Sequence, residues 1–183
     1  MKTLAEKKKY TVEDYEKLPE GPPYYQLIEG ELVMSPAPTA SHQRVSIRLS
    51  VKLFNYVREK AKGEVLYSPI DVYLDEENAY QPDIVVVLQG SRARITEKGI
   101  QGPPDIVVEI LSPSTAYYDL TEKRDVYERV GVKEYWILDP RRKVFEIRAN
   151  SQGGFKLISK AKGEGKVKSE LLDLELDIKE VFE

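Results

Sequence analysis

Two near-copies of one short apolar run constrain the fold of this chain more than any other feature. Residues 81–87 read Gln-Pro-Asp-Ile-Val-Val-Val, and residues 103–109 read Pro-Pro-Asp-Ile-Val-Val-Glu. Runs this rich in β-branched residues are typical of buried strands. The second copy ends in a carboxylate, Glu109, where the first has Val87. Because an unpaired buried charge costs on the order of several kcal/mol, Glu109 needs a partner, and a metal ion is one such partner.

The residue types that are absent or rare exclude several chemistries. The chain has no cysteine, which rules out disulfides, thiolate metal sites and thiol nucleophiles. Its single histidine, His42, cannot build a His-rich zinc site, and a Ser-His-Asp triad could use only this one residue. An enzyme of this composition is expected to work with carboxylates, lysine or tyrosine. The net charge of −3 argues against nucleic-acid binding over the whole surface, but it leaves a local basic groove open.

Length and hydropathy favour one domain over residues 1–183, with residues 1–9 as a frayed N-terminus and residues 161–183 as a C-terminal edge extension. No apolar run approaches the roughly 18 residues of a membrane span, and the N-terminus lacks the apolar segment of a secretory signal. We therefore expect a cytoplasmic protein with no membrane partner.

Periodicity predicts helices and strands in alternation. Helices are predicted at residues 11–17, 41–62 and 116–130. Strands are predicted at 24–35 as a hairpin, and at 64–74, 81–88, 105–111, 133–139, 143–149 and 154–160. Residues 89–102 are predicted to form a loop or a short helix, and the tail a last strand or short helix. This order predicts an α/β (α+β) domain in which helices flank a central sheet.

The helix predicted at 41–62 carries a broad apolar face. Its members are Val45, Leu49, Leu53 and Val57 at four-residue steps, with Ile47, Val51 and Phe54 beside them. His42 lies in the first turn, three residues before Val45, so it is expected to project from the buried side.

Strand parity places two acids where they can meet. Side chains alternate between the faces of a strand, so Asp105, Val107 and Glu109 share one face, and Asp83 shares a face with Val85 in its own strand. If the two near-copies are neighbours, Asp83 and Glu109 converge at one edge of the sheet. Two carboxylates with a backbone carbonyl and waters are the ligands that Mg²⁺ or Mn²⁺ prefers.

Lys123 lies in the middle of the apolar face of the helix predicted at 116–130. A lysine in that position either extends past the helix edge to water or meets an anion inside. The anion could be Glu109, Asp119 (four residues before the lysine) or a bound phosphate.

An ordered set of motifs matches a known family. The set comprises Tyr-Gln-Leu-Ile-Glu-Gly-Glu-Leu-Val-Met-Ser-Pro at 25–36, Ser-His-Gln-Arg-Val at 41–45, the two near-copies, Leu-Ser-Pro-Ser-Thr at 111–115, and Asp-Leu-Thr-Glu-Lys followed by Tyr, Gly-Val and Glu-Tyr-Trp at 119–136. It resembles the PD-(D/E)XK nuclease superfamily with its restriction-endonuclease-like fold, and more closely the Uma-type restriction endonuclease family. The likeness covers about residues 10–150.

The resemblance assigns roles to individual residues. Asp83 resembles the motif aspartate and Glu109 the second acid, and the carbonyl of Ile110 would be a further metal ligand. The superfamily pattern places lysine two residues after the acid, where this chain has Leu111. Lys123 would replace that lysine from the neighbouring helix.

Three further residues are possible auxiliary members of such a site, namely Glu31, His42 and Asp119. Gln26 stands where the Uma-type family usually has an acid.

What the resemblance implies is a Mg²⁺-dependent endonuclease, with Mn²⁺ as a possible substitute, that hydrolyses phosphodiester bonds in nucleic acid, DNA above all. It also implies a homodimer, because such nucleases must address two strands. One alternative is a catalytically inactive binding module on the same scaffold, with Leu111 as a sign of decay. Another is an interaction protein in which the acids and Lys123 form a purely structural ion network.

Individual residues have simpler alternatives. Asp83 could be satisfied by backbone N–H groups at the start of a strand, and Asp105 is expected to be a turn or cap group. Two basic sets, Arg92, Arg94 and Lys98 in one loop and Arg141, Arg142 and Lys143 in another, are solvated loops or phosphate contacts.

Overall fold

The computed structural model describes residues 9–19, 21–61 and 63–183. Residues 1–8 of the segment expected to be frayed lie outside the described residues, as does Lys62 at the end of the second predicted helix.

The described elements are five helices and fourteen strands, and most of the strands follow one another in two long runs. Along the chain they are α1 (Val12–Tyr15), β1 (Tyr25–Ile28), β2 (Glu31–Met34), α2 (Ala40–Tyr56), β3 (Gly63–Tyr67), β4 (Val72–Asp75), β5 (Asn78–Tyr80), β6 (Ile84–Leu88), β7 (Arg94–Thr96), β8 (Gly99–Gln101), β9 (Ile106–Ile110), α3 (Ala116–Leu120), α4 (Glu122–Val130), β10 (Glu134–Asp139), β11 (Val144–Ser151), β12 (Gly154–Lys162), β13 (Lys166–Ser169), β14 (Leu174–Asp177) and α5 (Lys179–Phe182).

These strands form two large mixed sheets and one hairpin. The first sheet has the order β2-β1-β5-β4-β8-β7, and the second has the order β12-β11-β10-β9-β6-β3. In the second sheet β9 and β10 are parallel, and the other neighbouring pairs are antiparallel. The connection between β9 and β10 is therefore a crossover, which α3 and α4 provide. The mixed α+β class predicted from the sequence is confirmed.

The second sheet is the centre of the molecule, and each of its faces has its own core. One face carries Ile84, Val86, Ile106, Val108 and Ile110, which pack with apolar residues of α2, α5 and the tail. The opposite face packs against the first sheet and α4. The alternation predicted for the two near-copies is confirmed, since successive residues of each copy enter opposite cores.

The opposite face brings Val85, Val107 and Tyr135 of the second sheet against Tyr80 of the first sheet and Tyr127 of α4. This is the face that Asp83 and Glu109 share by parity.

Two predicted segments differ in the structure. The single strand expected at 64–74 is two strands, β3 and β4, which belong to different sheets. Pro69 lies between them, and because proline has no backbone N–H it cannot continue a ladder. The prediction of a loop or short helix at 89–102 was wrong, because this segment holds the hairpin β7–β8. Ile100 of β8 is fully buried, and its strand pairs in parallel with β4.

The long helix buries a narrower face than predicted. The side chain of Thr39 caps α2 at the backbone N–H of His42, and the helix ends in a π-helical turn, Val57–Ala61. The residues at four-residue steps, Val45, Leu49, Leu53 and Val57, are buried as expected. Ile47, Val51 and Phe54 are instead exposed by 57%, 51% and 49%. Only one stripe of the helix contacts the sheet, so the broad apolar face was wrong.

The helix predicted at 116–130 is broken into α3 and α4. The break lies at Thr121, whose φ of −123° and ψ of −93° are not helical. Gly131 ends α4 in the left-handed conformation, with φ of 92°.

The tail covers a face of the second sheet rather than only its edge. Val167, Leu172, Leu176, Ile178 and Val181 are buried in the core that α2 closes. The edge extension expected at 161–183 therefore contributes to the core.

No helix within the described ranges combines the length and apolarity that crossing a membrane requires.

Candidate active site

The antiparallel pairing of β6 and β9 brings the two near-copies together. Their register pairs Ile84 with Val108 and Val85 with Val107. Continued by one residue, this register places Asp83, just before β6, beside Glu109, near the end of β9. The convergence that strand parity predicted for these two acids is confirmed.

Asp83 is held from two sides through one carboxylate oxygen. Its Oδ2 accepts the backbone N–H of Ile110 at 2.7 Å and lies 3.1 Å from Nε2 of His42. The alternative in which backbone N–H groups satisfy Asp83 is therefore confirmed in part, and His42 provides a second contact. Because these bonds engage Oδ2, the other oxygen of Asp83 is available to a ligand in the cavity.

Glu109 and Lys123 form a buried ion pair at the centre of the site. Nζ of Lys123 donates to Oε1 of Glu109 at 2.9 Å and to Oδ1 of Asp119 at 3.0 Å. The hydroxyl of Tyr127 donates to the same Oε1 at 2.8 Å, and Nζ lies 5.8 Å from the centre of the Tyr80 ring. Lys123 is 3% exposed, so it does not extend to water. It meets two of the anions that its sequence position allowed.

The site holds more carboxyl groups than lysines. Asp83, Glu109 and Asp119 are close to one another, and Lys123 is the lysine between them. Burial raises the pKa of Glu109 to about 8; Lys123 opposes the rise, and the charges of Asp119 and Asp83 add to it. Burial alone would lower the pKa of Lys123, but Asp119 and Glu109 outweigh it, and the net shift is upward. Lys123 therefore stays charged, and the effect of the crowded carboxyl groups is the raised pKa of Glu109.

His42 joins the site from the first turn of α2. Burial alone would lower the pKa of His42, but the hydrogen bond to Asp83 and its charge, with contributions from Asp119 and the Ile110 carbonyl, raise it above its ordinary value. Its Nδ1 is buried and has no hydrogen-bond partner among the described residues. The expected projection from the buried side of the helix is confirmed.

A cavity of about 380 Å³ opens onto these groups. It is lined by His42, Asp83, Glu109, Asp119 and Lys123 and by Ile110. Seven residues with hydroxyl groups also line it: Ser35, Thr39, Ser46, Ser68, Ser112, Ser114 and Thr115. Gln26 also lines it and is buried, accepting the N–H of Gln81 at 2.9 Å and donating to Ser35. At the position where the resembling family usually has an acid, this chain therefore has a neutral side chain. Its hydrogen bonds hold one wall of the cavity in place.

Two acids of the sequence analysis lie elsewhere. Glu31, expected as a possible auxiliary residue, is exposed on β2 and does not line the cavity. Gln26 and Ser35, which are close to it in sequence, do line the cavity, but Glu31 itself does not. Asp105 accepts the N–H of Leu88 at 2.8 Å and pairs with Lys133 at 2.7 Å, as the turn or cap role predicted.

Sequence reasoning missed the polar ends of the buried tyrosines. Tyr127 and Tyr135 are core aromatics, and both are fully buried. Their hydroxyls also serve the site, because Tyr127 binds Glu109 and Tyr135 donates to the backbone oxygen of Asp119 at 2.7 Å. The available signal was the choice of Tyr over Phe at buried positions, since a buried hydroxyl needs a partner.

The donor set fits a hard divalent cation. Each of Asp83 and Glu109 is bonded through one oxygen, and the carbonyl of Ile110 lies on the same wall. In the part of the chain that is described, no group of three or more acids or histidines could hold an ion alone. Water and substrate oxygens would complete the shell, as is usual for Mg²⁺, which keeps several waters. A cation bound here would compensate the surplus of buried carboxyl groups.

Known proteins resemble this chain in sequence and in structure. A family model described as Uma2, putative restriction endonuclease, matches residues 12–179. The crystal structure of a putative nuclease belonging to DUF820 from Anabaena variabilis superposes with a TM-score of 0.77 at 21% identity, covering 94% of this chain and 97% of that one. This structural likeness concerns the fold.

A third similarity is to the uncharacterized protein sll1609 of Synechocystis. It is 24% identical over 116 residues, which are 62% of this chain and 65% of that protein. The chain thus spans somewhat less than two thirds of the length of this relative.

Proposed function

Since this chain belongs to the Uma2 family of putative restriction endonucleases, which the family model matches over residues 12–179, we propose that it is a Mg²⁺-dependent endonuclease acting on DNA. The observation that carries the proposal is the cluster in which Glu109 and Asp119 bind the buried Lys123, while Asp83 lines the same cavity. Buried ionisable groups with a charge surplus, gathered in a cleft, are a mark of functional sites.

Asp83, Glu109 and the carbonyl of Ile110 are the groups that would hold the metal. A bound Mg²⁺, or Mn²⁺ in its place, lowers the pKa of a coordinated water and polarises a phosphodiester. His42 fixes one oxygen of Asp83 and Tyr127 fixes one oxygen of Glu109, so the second oxygen of each acid is oriented before any ligand arrives.

Lys123 would be the catalytic lysine. Its ammonium is fixed by Glu109 and Asp119, and burial removes the water that would screen its charge. In this position it orients the attacking water or offsets the negative charge that develops on the phosphate in the transition state. Asp119 acts through Lys123, which makes it a positioning residue.

Cleavage of duplex DNA requires access to both strands, and we therefore propose a homodimer. The exposed apolar side chains of α2, Ile47, Val51 and Phe54, offer a surface that a second copy could cover. A nuclease of this kind would act on DNA in the cytoplasm, the compartment expected from the sequence.

The test is cleavage of supercoiled plasmid DNA with Mg²⁺, compared with EDTA. Wild-type protein is expected to nick or linearise the plasmid only with the metal, and Glu109→Ala and Lys123→Ala are expected to abolish this activity. Glu170→Ala is the matched control, because Glu170 is an exposed acid on the tail. Undiminished cleavage by either site variant, with circular dichroism showing a folded protein, contradicts the proposal.

A catalytically inactive binding module is the second candidate. It is favoured by Leu111, which occupies the superfamily's usual lysine position and lines a separate cavity rather than the one around Glu109. Titration with Mn²⁺ followed by calorimetry separates the two, because a site that has lost its geometry shows no stoichiometric binding. Stoichiometric binding that Glu109→Ala removes supports the enzyme.

A further inference from the structure

We propose that the turn after β10 and the exposed side of α3 form a subsite for the nucleotide next to the scissile phosphate, in which Arg141 and Arg142 contact backbone phosphates. This inference rests on the proposed nuclease function and adds to it the path of the substrate strand beside the catalytic cavity.

A second cavity, of about 370 Å³, lies beside the catalytic one. Leu111, Ala116 and Leu120 are apolar residues of its lining, and Asp139, Arg141 and Arg142 are the charged ones. A phosphate with an attached sugar has a matching division, since the phosphate is anionic and the carbon face of the sugar is apolar. The pairing of an apolar wall with two guanidinium groups therefore suits a nucleotide.

The two cavities adjoin at one segment of the chain. Ser112 and Pro113 line both of them. The segment is the turn that follows β9, whose last residues include Glu109. A strand whose phosphodiester occupies the catalytic cavity would therefore reach the second cavity by passing this turn.

Parallel pairing of β9 and β10 explains why the arginines lie here. The carboxyl ends of parallel neighbours meet at the same edge of a sheet. The register pairs Glu109 with Ile137 and Ile110 with Leu138, and the N–H of Leu111 donates to the carbonyl of Leu138 at 2.7 Å. The turn that starts at Asp139 thus stands beside the turn that starts at Ser112. Binding sites in sheets with parallel strands are common at this edge.

Hydrogen bonds fix the backbone of both arginines, while their side chains are exposed. Oδ1 of Asp139 accepts the backbone N–H of Arg141 at 2.9 Å and of Arg142 at 3.1 Å, which fixes the turn. Among the described residues, Arg141 has no ion pair. Arg142 has only a contact of 3.7 Å to Asp139, with its side chain 80% exposed. An exposed pair of this length contributes little, so both guanidinium groups are available to an anion.

Two of the three residues in the other basic set are engaged elsewhere. Arg92 donates to the carbonyl of Val130 at the end of α4, and Lys98 pairs with Glu16. Neither residue lines the catalytic cavity or the second cavity. Of the two basic loops that the sequence left undecided, the structure thus favours the one with Arg141 and Arg142.

The charge of the catalytic cavity makes such a neighbour necessary. Lys123 is already bonded to Glu109 and Asp119, so it is not free to attract the rest of a DNA strand, and a metal ion would attract only the scissile phosphate itself. Attraction for the rest of the strand must come from cations beside the cavity, which are the usual source of affinity for the nucleic-acid backbone.

The experiment measures DNA binding by the double variant Arg141→Ala/Arg142→Ala. A fluorescein-labelled DNA duplex is titrated with protein in Ca²⁺, which replaces Mg²⁺ to prevent cleavage, and anisotropy is followed at several salt concentrations. Each lost phosphate contact lowers the slope of log affinity against log salt by about 0.9, so affinity at about 0.1 M salt falls roughly eightfold for each arginine.

The matched control is Lys166→Ala/Lys168→Ala, which removes the same charge from exposed positions of β13. That strand packs through Val167 on the face of the sheet opposite to Glu109. The control is expected to bind DNA as wild type does. A second readout is the hydrolysis of bis(p-nitrophenyl) phosphate in Mn²⁺, a diester that fills only the catalytic cavity, and the arginine variant is expected to keep this activity.

The outcomes separate the subsite from the nuclease proposal. If wild-type protein cleaves DNA and the arginine variant binds DNA as tightly as wild type, the subsite is overturned and the nuclease stands. An equal loss of binding in the lysine control, or a parallel loss of model-diester hydrolysis in the arginine variant, also overturns the subsite alone. If wild-type protein neither binds nor cleaves DNA, both proposals fail.

Discussion

Replacing Glu109 by Gln is expected to stabilise the protein when divalent cations are absent. The amide has the volume of the carboxyl group, and its oxygen can accept from Nζ of Lys123 and from the hydroxyl of Tyr127, as Oε1 of Glu109 does. Asp119 remains to pair with Lys123. The substitution therefore removes one buried negative charge from a cluster that has too many, and it keeps the hydrogen bonds.

The magnitude follows from the raised pKa of Glu109. An ordinary Glu has a pKa of 4.5, and burial raises that of Glu109 to about 8. The folded state then binds the proton more tightly than the unfolded state between these values, so stability is complete below about pH 4.5 and falls as the pH rises towards 8. At about 1.4 kcal/mol per pH unit, the loss at pH 7 is roughly 3 kcal/mol. Gln does not ionise and avoids this loss, and we expect a net gain of about 2 kcal/mol.

The assay is thermal unfolding in EDTA at several pH values. For a chain of this length, a gain of about 2 kcal/mol raises the Tm by roughly 4–8 °C. The difference between variant and wild type should be large near pH 8 and should shrink towards zero as the pH approaches about 5. Added Mg²⁺ should raise the Tm of wild type more than that of the variant, because a ligand stabilises the state that binds it.

The reasoning is refuted if Glu109→Gln destabilises the protein at pH 8 by several kcal/mol, on the order of 3–5, the usual cost of breaking a buried ion pair that stabilises a fold. That result would make Glu109 and Lys123 a structural pair, which is the third interpretation that the sequence allowed. A gain in Tm that is the same at pH 5 and pH 8 would also contradict the charge argument.

Three further substitutions separate the groups of the site. Lys123→Met leaves the acids without their shared cation and should cost about 3–5 kcal/mol of stability in EDTA, measured by urea unfolding, with partial recovery in Mg²⁺. His42→Phe removes the contact that orients Asp83 and should weaken Mn²⁺ binding by about 10- to 100-fold in calorimetry, with His42→Gln closer to wild type. Glu134→Gln should cost about 1–3 kcal/mol and leave Mn²⁺ affinity unchanged, because this buried acid bonds to Trp136 and to the tail.

The near-copies made the central sheet predictable because each residue of them obeys one simple rule. Alternate side chains enter opposite cores, and both cores are apolar, so the strands are β-branched throughout. The hairpin at 94–101 was not predictable in the same way. Its strands are three residues long, and Arg94 and Thr96 remain exposed, so the segment has no apolar run that a window of sequence could detect.

The width of the buried face of α2 also could not be predicted from the sequence. Ile47, Val51 and Phe54 are as apolar as Leu49 and Leu53, and nothing local distinguishes the two rows. Burial is decided by where the sheet lies, and only one row reaches it. The exposed row was counted as core because an apolar residue that faces solvent or a partner has the same letter as one that faces the interior.

The three acids buried in or beside the strands of the second sheet show why a site needs coordinates. Asp105, Glu109 and Glu134 each lie within or next to a strand of apolar residues, and each is at most 3% exposed. Asp105 has an amide donor and its own lysine. Glu134 receives donors on both oxygens from Trp136, Ser169 and Leu171.

Glu109 differs from these two because its lysine is shared. Lys123 also serves Asp119, and Asp83 adds a third carboxylate without adding a cation other than a protonated His42. A fold gains nothing from an unbalanced charge in its interior, since burial penalises every uncompensated carboxylate. The imbalance at Glu109, and its absence at Asp105 and Glu134, is therefore the property on which the proposal of a metal-binding role for Glu109 rests. It depends on which elements pack together, so no reading of a single strand could have supplied it.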